Sequence, residues 1–325
     1  MKKVLITGIT GQDGAYLAKL LLEKDYKVYG LVRRIVNRSY DNLEYLNIAD
    51  KVDYVNGDLT DEVSLINAVK TIQPDEVYNL GAQSFVGTSW DQPLITSEIN
   101  AMGTLKLLNA IKNHAPNAKF YQASTSEMFG NSNKNGIQNE ETPFYPRSPY
   151  AISKLFSYWT AVNFKESFGM FCANGILFNH ESPIRGIEFV SRKITDGVSK
   201  IKLGLEKELR LGNLDSSRDW GFAGDYVEAM WMMLQQKEPD NYIISTGKTH
   251  SIRDFLDLSF KHVGIEDWEP YVKLDPRFKR PAELFVLKGQ NNKAKEKLDW
   301  QPKHSFEDLV SMMMEADLDR LKSKK

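Results

Sequence analysis

The segment KVLITGITGQDGAYLAKLLLEK, residues 3–24, decides the fold of this chain. Residues 3–7 are mostly apolar, which predicts a buried strand, and the apolar residues of 15–24 recur at the spacing of an amphipathic helix. Between them lie Gly8, Gly11 and Gly14. Glycines at this spacing allow a tight turn, a close approach of backbone to a pyrophosphate and close helix packing, with the phosphates at the helix N-terminus. A glycine triplet also occurs in ordinary turns, but one that follows a first strand and opens a helix favours a dinucleotide site.

Strand-like and helix-like segments alternate along the rest of the chain. The further predicted strands are residues 27–32, 52–55, 76–80, 119–123 and 171–178. The further predicted helices are residues 61–72 with Asp61 as N-cap, 93–113, 149–168 and 306–321. This alternation predicts an α/β fold, a doubly wound and Rossmann-like parallel sheet with a smaller, mostly C-terminal α/β domain. The predicted dinucleotide domain is 1–172 with returning segments near 218–248 and 283–290, and the predicted substrate domain is the remainder of 173–325.

The end of the second strand indicates which dinucleotide is bound. An acidic residue there would bind the ribose diol of NAD, but this chain has Arg33 and Arg34, with Arg38 shortly after. Guanidinium groups suit a 2′-phosphate because they form bidentate hydrogen bonds, so NADP is favoured over NAD. A solvated basic loop is the alternative. Asp58, after the third strand, is placed to meet the adenine amino group.

Composition excludes several classes of function. The 42 basic and 43 acidic residues of the 325 give a net charge of −1, so we expect no nucleic-acid or membrane-surface partner. The single cysteine, Cys172, excludes an internal disulfide and fits a reducing, cytoplasmic compartment. The five histidines and one cysteine have no metal-ligand spacing, and no apolar run is long enough to cross a membrane.

A cluster of reactive side chains is predicted after the strand at 119–123. The strand leads into Thr125 and Glu127, and the carboxyl ends of parallel strands are where ligands bind. The helix that follows has Ser148 as predicted N-cap and carries Tyr150 and Lys154 on one face, four residues apart. A nearby ammonium and a helix N-terminus both favour the phenolate, so we expect Tyr150 to accept a proton from an alcohol while a hydride leaves the same carbon. Taken alone, such a pair also occurs on ordinary helix surfaces.

Cationic side chains are spread over several loops of the second half. They are Arg185, Arg192, Lys193, Arg210, Arg218 and Arg280. These groups are able to converge on a diphosphate, although each one alone also fits a surface charge.

The chain closely resembles the GDP-mannose 4,6-dehydratases, within the extended short-chain dehydrogenase/reductase family. The resemblance rests on TGITGQDG, EVYNLGAQSFV, FYQASTSEMFG, SPYAISK, GILFNHESP and RPAE, and it runs over essentially the whole chain. The motifs of the second half are specific to this enzyme, whereas the glycines and Tyr-x-x-x-Lys identify only the superfamily.

The resemblance implies three sets of site residues. The implied catalytic residues are Thr125, Glu127, Tyr150 and Lys154. The implied NADP contacts are Gly8, Gly11, Gln12, Asp13, Gly14, Arg33, Asp58, Leu59, Leu80, Ala82, Tyr150, Lys154 and Arg185. The implied contacts of the GDP-sugar are Ser84, Glu127, Asn179, Lys193, Arg218, Arg280 and Glu283.

The resemblance also implies a redox-neutral mechanism. Tyr150 removes the proton of the sugar 4-hydroxyl as hydride passes from C4 to NADP⁺, with Lys154 holding the phenolate. Glu127 removes the acidified C5 proton and, with Thr125, assists loss of the 6-hydroxyl as water. Hydride then returns to C6 and a proton to C5, which gives GDP-4-keto-6-deoxy-D-mannose.

Several alternatives stay open. A dehydratase of a GDP-heptose has the same requirements, whereas a nucleotide-sugar reductase or 4-epimerase does not abstract the C5 proton and has no use for Glu127 beside Thr125. A dinucleotide-sensing binding protein has no need of Tyr150 and Lys154. The segment after Arg34 is shorter than in many members, where it reaches a neighbouring subunit, so both a homodimer and a homotetramer fit. The helices at 93–113 and 149–168 are the expected dimer contact.

Overall fold

A computed structural model of the protein describes residues 1–34, 39–132, 136–278 and 286–323. Three residues named above, Arg38, Arg280 and Glu283, lie outside the described residues. The strands of the described chain are β1 (Lys3–Thr7), β2 (Lys27–Val32), β3 (Asp53–Asn56), β4 (Glu76–Asn79), β5 (Lys119–Thr125), β6 (Ile137–Gln138), β7 (Cys172–Leu177), β8 (Asn179–Glu181), β9 (Leu209–Leu211), β10 (Ser217–Arg218), β11 (Trp220–Phe222), β12 (Asn241–Ile244), β13 (His250–Ser251), β14 (Val272–Leu274) and β15 (Val286–Gly289).

The α-helices of the same residues are α1 (Gln12–Glu23), α2 (Asp41–Tyr45), α3 (Glu62–Ile72), α4 (Val86–Asp91), α5 (Pro93–Ser97), α6 (Gly103–His114), α7 (Pro149–Phe168), α8 (Val190–Lys202), α9 (Ala223–Gln235), α10 (Ile252–His262), α11 (Asn292–Leu298) and α12 (Phe306–Lys322). Short 3₁₀ turns cover Ala49–Lys51, Ser126–Met128, Glu269–Tyr271 and Pro276–Phe278, and a π-helix covers Glu98–Met102.

Seven parallel strands form the main sheet, in the order β12-β7-β5-β4-β1-β2-β3. From β1 the chain builds outward through β2 and β3, then crosses to β4 and builds the other way. The order therefore reverses between β1 and β4, where Thr7 is in register with Asn79. Ligands of such sheets bind beyond the carboxyl ends of the strands at this reversal. The predicted doubly wound fold is confirmed.

The alternation of apolar residues in the strands places helices on both faces of this sheet. On β1, Val4 and Ile6 belong to one fully buried core and Leu5 to another. The first core includes residues of α1 and α9, such as Leu17 and Met230. The second core lies on the side of α3, α6 and α7. Because both faces are covered, the sheet leaves only its carboxyl edge open for a site.

The predicted helix at 93–113 is interrupted in the structure. The π-helix Glu98–Met102 separates α5 from α6. The backbone carbonyl of Asn100 accepts hydrogen bonds from the hydroxyls of Thr104 and Ser157, each at 2.7 Å. These hydroxyls compete with backbone N–H groups for the carbonyl, which is a physical reason for the wider turn.

The second half of the chain builds a smaller unit. Strands β13, β10, β15 and β6 form a four-stranded sheet, and β11 pairs with β8 and β14 with β9. A third core gathers apolar residues of α8, α10 and α12, including Val198, Phe255 and Met313. Strand β12 returns to the edge of the main sheet beside β7, and α9 packs against α1. The loop between β8 and α8 lies near the carboxyl edge of the main sheet, where the cofactor is predicted to bind.

Candidate active site

A cleft of about 690 Å³ opens at the carboxyl edge of the main sheet, where the strand order reverses. Its lining includes most of the residues implied for the site. Those that line it are Gly8, Gly11, Gln12, Asp13, Gly14, Arg33, Asp58, Leu59, Leu80, Ala82, Ser84, Thr125, Glu127, Tyr150, Lys154, Asn179 and Arg185. The fold thus brings into one cavity residues that are up to 177 positions apart in the chain, from Gly8 to Arg185.

The glycine turn forms the first wall of the cleft. Gly8 has φ of +71°, and a Cβ atom there would lie 2.7 Å from the backbone nitrogen of Gly81. A Cβ atom on Gly14 would lie 2.3 Å from the carbonyl oxygen of Gly8, so no larger residue fits either position without displacing backbone. Gly11 is the N-cap of α1 and provides no side-chain cap for its first N–H groups. This helix N-terminus at the cleft is a site for an anion.

A buried ion pair lies beneath the glycine turn. Nε2 of His180 lies 2.8 Å from Oδ2 of Asp13, and Nδ1 lies 2.7 Å from the carbonyl oxygen of Phe178. Because both ring nitrogens face oxygen acceptors, the surroundings favour the doubly protonated ring. Burial lowers the pKa of His180, but Asp13 raises it more, so the net shift is upward. Burial alone raises the pKa of Asp13, but the charge and hydrogen bond of His180 bring it to about 2.

Three candidate catalytic groups meet at the end of β5. The 3₁₀ turn Ser126–Met128 follows Thr125, whose hydroxyl oxygen accepts from the backbone N–H of Glu127 at 3.3 Å. The hydroxyl of Thr125 lowers the pKa of Tyr150, although burial raises it more. The negative charge of Glu127 raises the pKa of Tyr150, and both residues line the cleft. The structure therefore places a hydroxyl, a carboxylate and a phenol together.

Helix α7 carries Tyr150 and Lys154, and Ser148 caps it by accepting from Ala151 N–H at 3.1 Å. Nζ of Lys154 donates to the carbonyl oxygen of Ala123 at 2.9 Å. Burial raises the pKa of Tyr150, and it lowers the pKa of Lys154 to about 8. Burial is the largest influence on both groups, and it disfavours the charged form of each. That the ammonium and the helix N-terminus favour the phenolate of Tyr150 stays a prediction.

Comparison with known proteins identifies the family. The family model described as GDP-mannose 4,6 dehydratase matches residues 5–313. GDP-mannose 4,6 dehydratase 1 of Arabidopsis thaliana is 49% identical, and the alignment covers 100% of this chain and 92% of that protein. The human GDP-mannose 4,6 dehydratase is 46% identical, with 98% and 92% covered. The chain belongs to the GDP-mannose 4,6-dehydratase family.

Solved structures agree with the fold. A dTDP-glucose 4,6-dehydratase from Streptomyces venezuelae, crystallised with NAD, is 23% identical with a TM-score of 0.86, and 99% of this chain and 98% of that one are covered. A UDP-glucose 4-epimerase from Thermotoga maritima is also 23% identical, with a TM-score of 0.87 and coverage of 98% and 99%. At this identity the likeness shows the fold alone. Membership in the GDP-mannose 4,6-dehydratase family confirms the predicted enzyme class, a hydro-lyase, and the predicted cofactor, NADP.

Two functional residues of this dehydratase were missed by the sequence predictions. His180 lies in the quoted motif, but its pairing with Asp13 spans 167 positions and has no sequence signal. Buried Asn100 donates from Nδ2 to the carbonyl oxygen of Gln83 and to the hydroxyl of Ser153, both at 3.0 Å. It thereby ties the loop after β4 to the helix that carries Tyr150. An asparagine inside a predicted helix gives no such signal.

Two of the implied sugar contacts lie away from the cleft lining. Lys193 is on α8, where burial lowers its pKa and Asp275 raises it. Arg218 is buried on β10 and donates to the carbonyl oxygen of Ser217 at 2.8 Å. Both lie in the smaller unit.

Among residues 1–34, 39–132, 136–278 and 286–323, no three His, Cys, Asp or Glu side chains are grouped so that they hold a metal ion. Within the same ranges, none of the helices has both the length and the apolar character needed to cross a bilayer.

Proposed function

We propose that this protein converts GDP-D-mannose to GDP-4-keto-6-deoxy-D-mannose and water, with hydride passing from C4 of the sugar through NADP to C6. The observation that carries the proposal is the meeting of Thr125, Glu127 and Tyr150 at one end of a cleft whose other wall is the glycine turn. A 4-epimerase or reductase needs the phenol but has no step for the carboxylate. A GDP-heptose has the same reacting atoms and is the second candidate substrate.

The residues of the cleft fit NADP. The uncapped N-terminus of α1 and the glycine turn suit a pyrophosphate, and Arg33 at the end of β2 suits a 2′-phosphate. Asp58 and Leu59 line the same wall and would hold the adenine end. The nicotinamide supplies hydride acceptance and return. The pairing of Asp13 with His180 neutralises a carboxylate that would otherwise face the diphosphate.

Tyr150 and Lys154 would carry the first proton transfer. Burial raises the pKa of Tyr150. Added positive charge is therefore needed to stabilise the phenolate, which is the form that accepts a proton at neutral pH. An ammonium has three donors, and Ala123 uses one of those of Lys154. The others are able to contact the nicotinamide ribose and the phenolate. The hydroxyl of Thr125 lowers the pKa of Tyr150 and would so favour the phenolate.

Glu127 would carry the elimination. Its backbone is held by the 3₁₀ turn and by the hydrogen bond to Thr125, and its side chain lines the same cleft as Tyr150. A single carboxylate is able to remove the C5 proton and to return a proton to C5 after the second hydride transfer. Thr125 is placed to assist departure of the 6-hydroxyl. In this scheme Tyr150 and Lys154 serve the hydride transfers, whereas Glu127 makes the enzyme a lyase.

The proposed division of the chain follows the predicted one. Residues 1–172, with the returning segments near 218–248 and 283–290, would hold the dinucleotide. The rest of 173–325 would hold most of the GDP-sugar. The proposed sugar contacts there are Asn179, Lys193 and Arg280, and Ser84, Arg218 and Glu283 would reach the sugar from the dinucleotide-binding segments. The enzyme would work in the cytoplasm, where the buried thiol of Cys172 stays reduced.

A homodimer is the proposed assembly. Ile152, Phe156 and Trp159 recur at helical spacing on α7, and all three are exposed. Leu94 on α5 is 85% exposed and Trp159 50%. Exposed apolar side chains on two adjacent helices favour burial against a second copy of the chain, whereas a homotetramer needs a further interface. We expect Phe156→Glu to shift the mass measured by light scattering from dimer to monomer, and Ile187→Glu, which changes an exposed residue elsewhere, to leave it unchanged.

The reaction is tested with GDP-mannose that carries deuterium at C4, incubated with catalytic NADP⁺. A product lighter by one water, with deuterium retained at C6, is the expected result. Unchanged GDP-mannose together with consumption of a GDP-heptose would move the assignment to the second substrate. A product that keeps its oxygen atoms would indicate a reductase or epimerase.

A further inference from the structure

A buried carboxylate on the last helix lies between two arginines. Asp317 on α12 is 1% exposed. Nε of Arg192 lies 2.8 Å from both of its oxygens, and Arg320 donates from Nη1 to the same carboxylate. The hydroxyl of Thr195 donates to Oδ2 at 2.6 Å. We call Asp317, Arg192, Thr195 and Arg320 the Asp317 cluster.

The two guanidinium groups of the cluster also bind the loop between β8 and α8. Nη1 of Arg192 donates to the carbonyl oxygens of Pro183 and Arg185, at 3.1 and 2.9 Å. Nη2 of Arg320 donates to the carbonyl oxygen of Pro183 at 2.8 Å. Since the carboxylate fixes both guanidinium groups, the last helix of the chain determines where this loop lies.

The same loop brings Arg185 to the cofactor cleft. Nε of Arg185 lies 2.8 Å from Oε2 of Glu181, and the guanidinium carbon lies 3.4 Å from the ring centroid of Phe189. Arg185 and Phe189 line the cleft beside the glycine turn. A second cavity of about 470 Å³ adjoins the cleft and is lined by Arg185, Arg192 and Arg320. The donors of Arg192 and Arg320 named above are directed at protein oxygens, so the cluster serves the loop and not a free anion.

We propose that the Asp317 cluster is a positioning device, which holds the backbone at 183–185 so that the guanidinium of Arg185 faces NADP in the cleft. The inference rests on the proposed function, because Arg185 is a proposed and not an observed cofactor contact. Arg192, Arg320 and Asp317 touch neither cofactor nor sugar in this scheme. They act through Arg185.

The first test is Arg320→Met, measured as the Kd of NADP⁺ without any sugar. This change removes one bond to the loop and leaves the pairing of Arg192 with Asp317 in place, and Arg320 is 29% exposed, so the fold tolerates it. We expect the Kd of NADP⁺ to rise about tenfold. Thr195→Val is the matched control, because it removes a bond to the same carboxylate without touching the loop. We expect the control to lower the melting temperature and to change the Kd by less than about twofold.

A double-mutant cycle then distinguishes positioning from general stability. If Arg320 acts through Arg185, Arg320→Met has no further effect on the Kd in an Arg185→Ala background. Effects that add, or an Arg320→Met variant with the wild-type Kd, would overturn the proposal. An Arg185→Ala variant that binds NADP⁺ normally would also overturn it. A wild-type protein that binds NADP⁺ but leaves GDP-mannose unchanged would refute the proposed function alone, since the cluster is tested by cofactor binding only.

Discussion

Replacing Glu127 by glutamine separates the elimination from the hydride transfers. Glutamine has nearly the same size, and the 3₁₀ turn with its bond from the Glu127 N–H to Thr125 does not depend on the carboxylate. A general base contributes about 10²- to 10⁴-fold to a rate, so we expect dehydration to slow by at least about 100-fold. The first hydride transfer is expected to persist. Because the charge of Glu127 raises the pKa of Tyr150, its removal should also shift the pH profile of that transfer to lower pH.

The assay is a single turnover in D₂O with enzyme in excess over GDP-mannose. Wild-type enzyme is expected to place one solvent deuterium at C5 and to release water. Glu127→Gln is expected to form NADPH, seen by its absorbance, without exchange at C5. Glu141→Gln, which makes the same change at an exposed position, is the control. Exchange at C5 within about twofold of the wild-type rate would remove Glu127 from its role. Loss of NADPH formation with intact NADP⁺ binding would move Glu127 to the first step.

Two further predictions concern the cofactor end of the cleft. Arg33→Ala is expected to weaken the binding of NADP⁺ by at least about tenfold and the binding of NAD⁺ by less than about twofold, as measured by calorimetry. The reason is that the guanidinium is proposed to bind the 2′-phosphate, which NAD⁺ lacks. Equal losses for the two cofactors would show that Arg33 does not bind the 2′-phosphate. The ion pair of His180 and Asp13 stabilises the fold above the ordinary pKa of Asp13, 3.8, and loses that contribution as pH falls towards about 2. Because the pKa of His180 is raised in the folded protein, its contribution to stability is complete below pH 6.5, the ordinary pKa of histidine. That contribution is lost as the pH rises through the pKa of His180 in the folded protein. In urea unfolding, His180→Gln should therefore be most destabilising between pH 3.8 and 6.5, whereas exposed His262→Gln should show no such maximum.

Most of the main sheet is predictable from the sequence because its signals are local. The strand at 3–7, the N-cap Asp61 and the N-cap Ser148 each depend on residues within a few positions, and the structure has all three. The π-helix is different. Its cause includes the hydroxyl of Ser157, which lies 57 positions from Asn100 and reaches it only after α7 has docked. The helix propensities of neighbouring residues carry no information about such a contact.

The candidate site is likewise predictable only in part from the sequence. Glycines and reactive side chains at strand ends are recognisable, since parallel strands gather their carboxyl ends at one edge. The protonation state of those side chains depends on burial, which a sequence does not give. Tyr150 shows this, because the desolvation that raises its pKa comes from the packed walls of the cleft and not from its neighbours in the chain.

The two ends of the cleft differ in the charges that they favour. At the glycine turn a carboxylate lies in the first turn of α1, where a diphosphate is expected, and His180, whose pKa this carboxylate raises, lies 2.8 Å from it. At the catalytic end burial disfavours both the phenolate of Tyr150 and the ammonium of Lys154, and it outweighs the groups of the polypeptide that favour these charges. The first end is arranged to receive negative charge, and the second is arranged so that a phenolate becomes favourable only when positive charge is brought to it. In the proposed mechanism, proton transfer at Tyr150 would thereby be coupled to the state of the neighbouring cofactor site, which suits a reaction that begins and ends with the same oxidised dinucleotide.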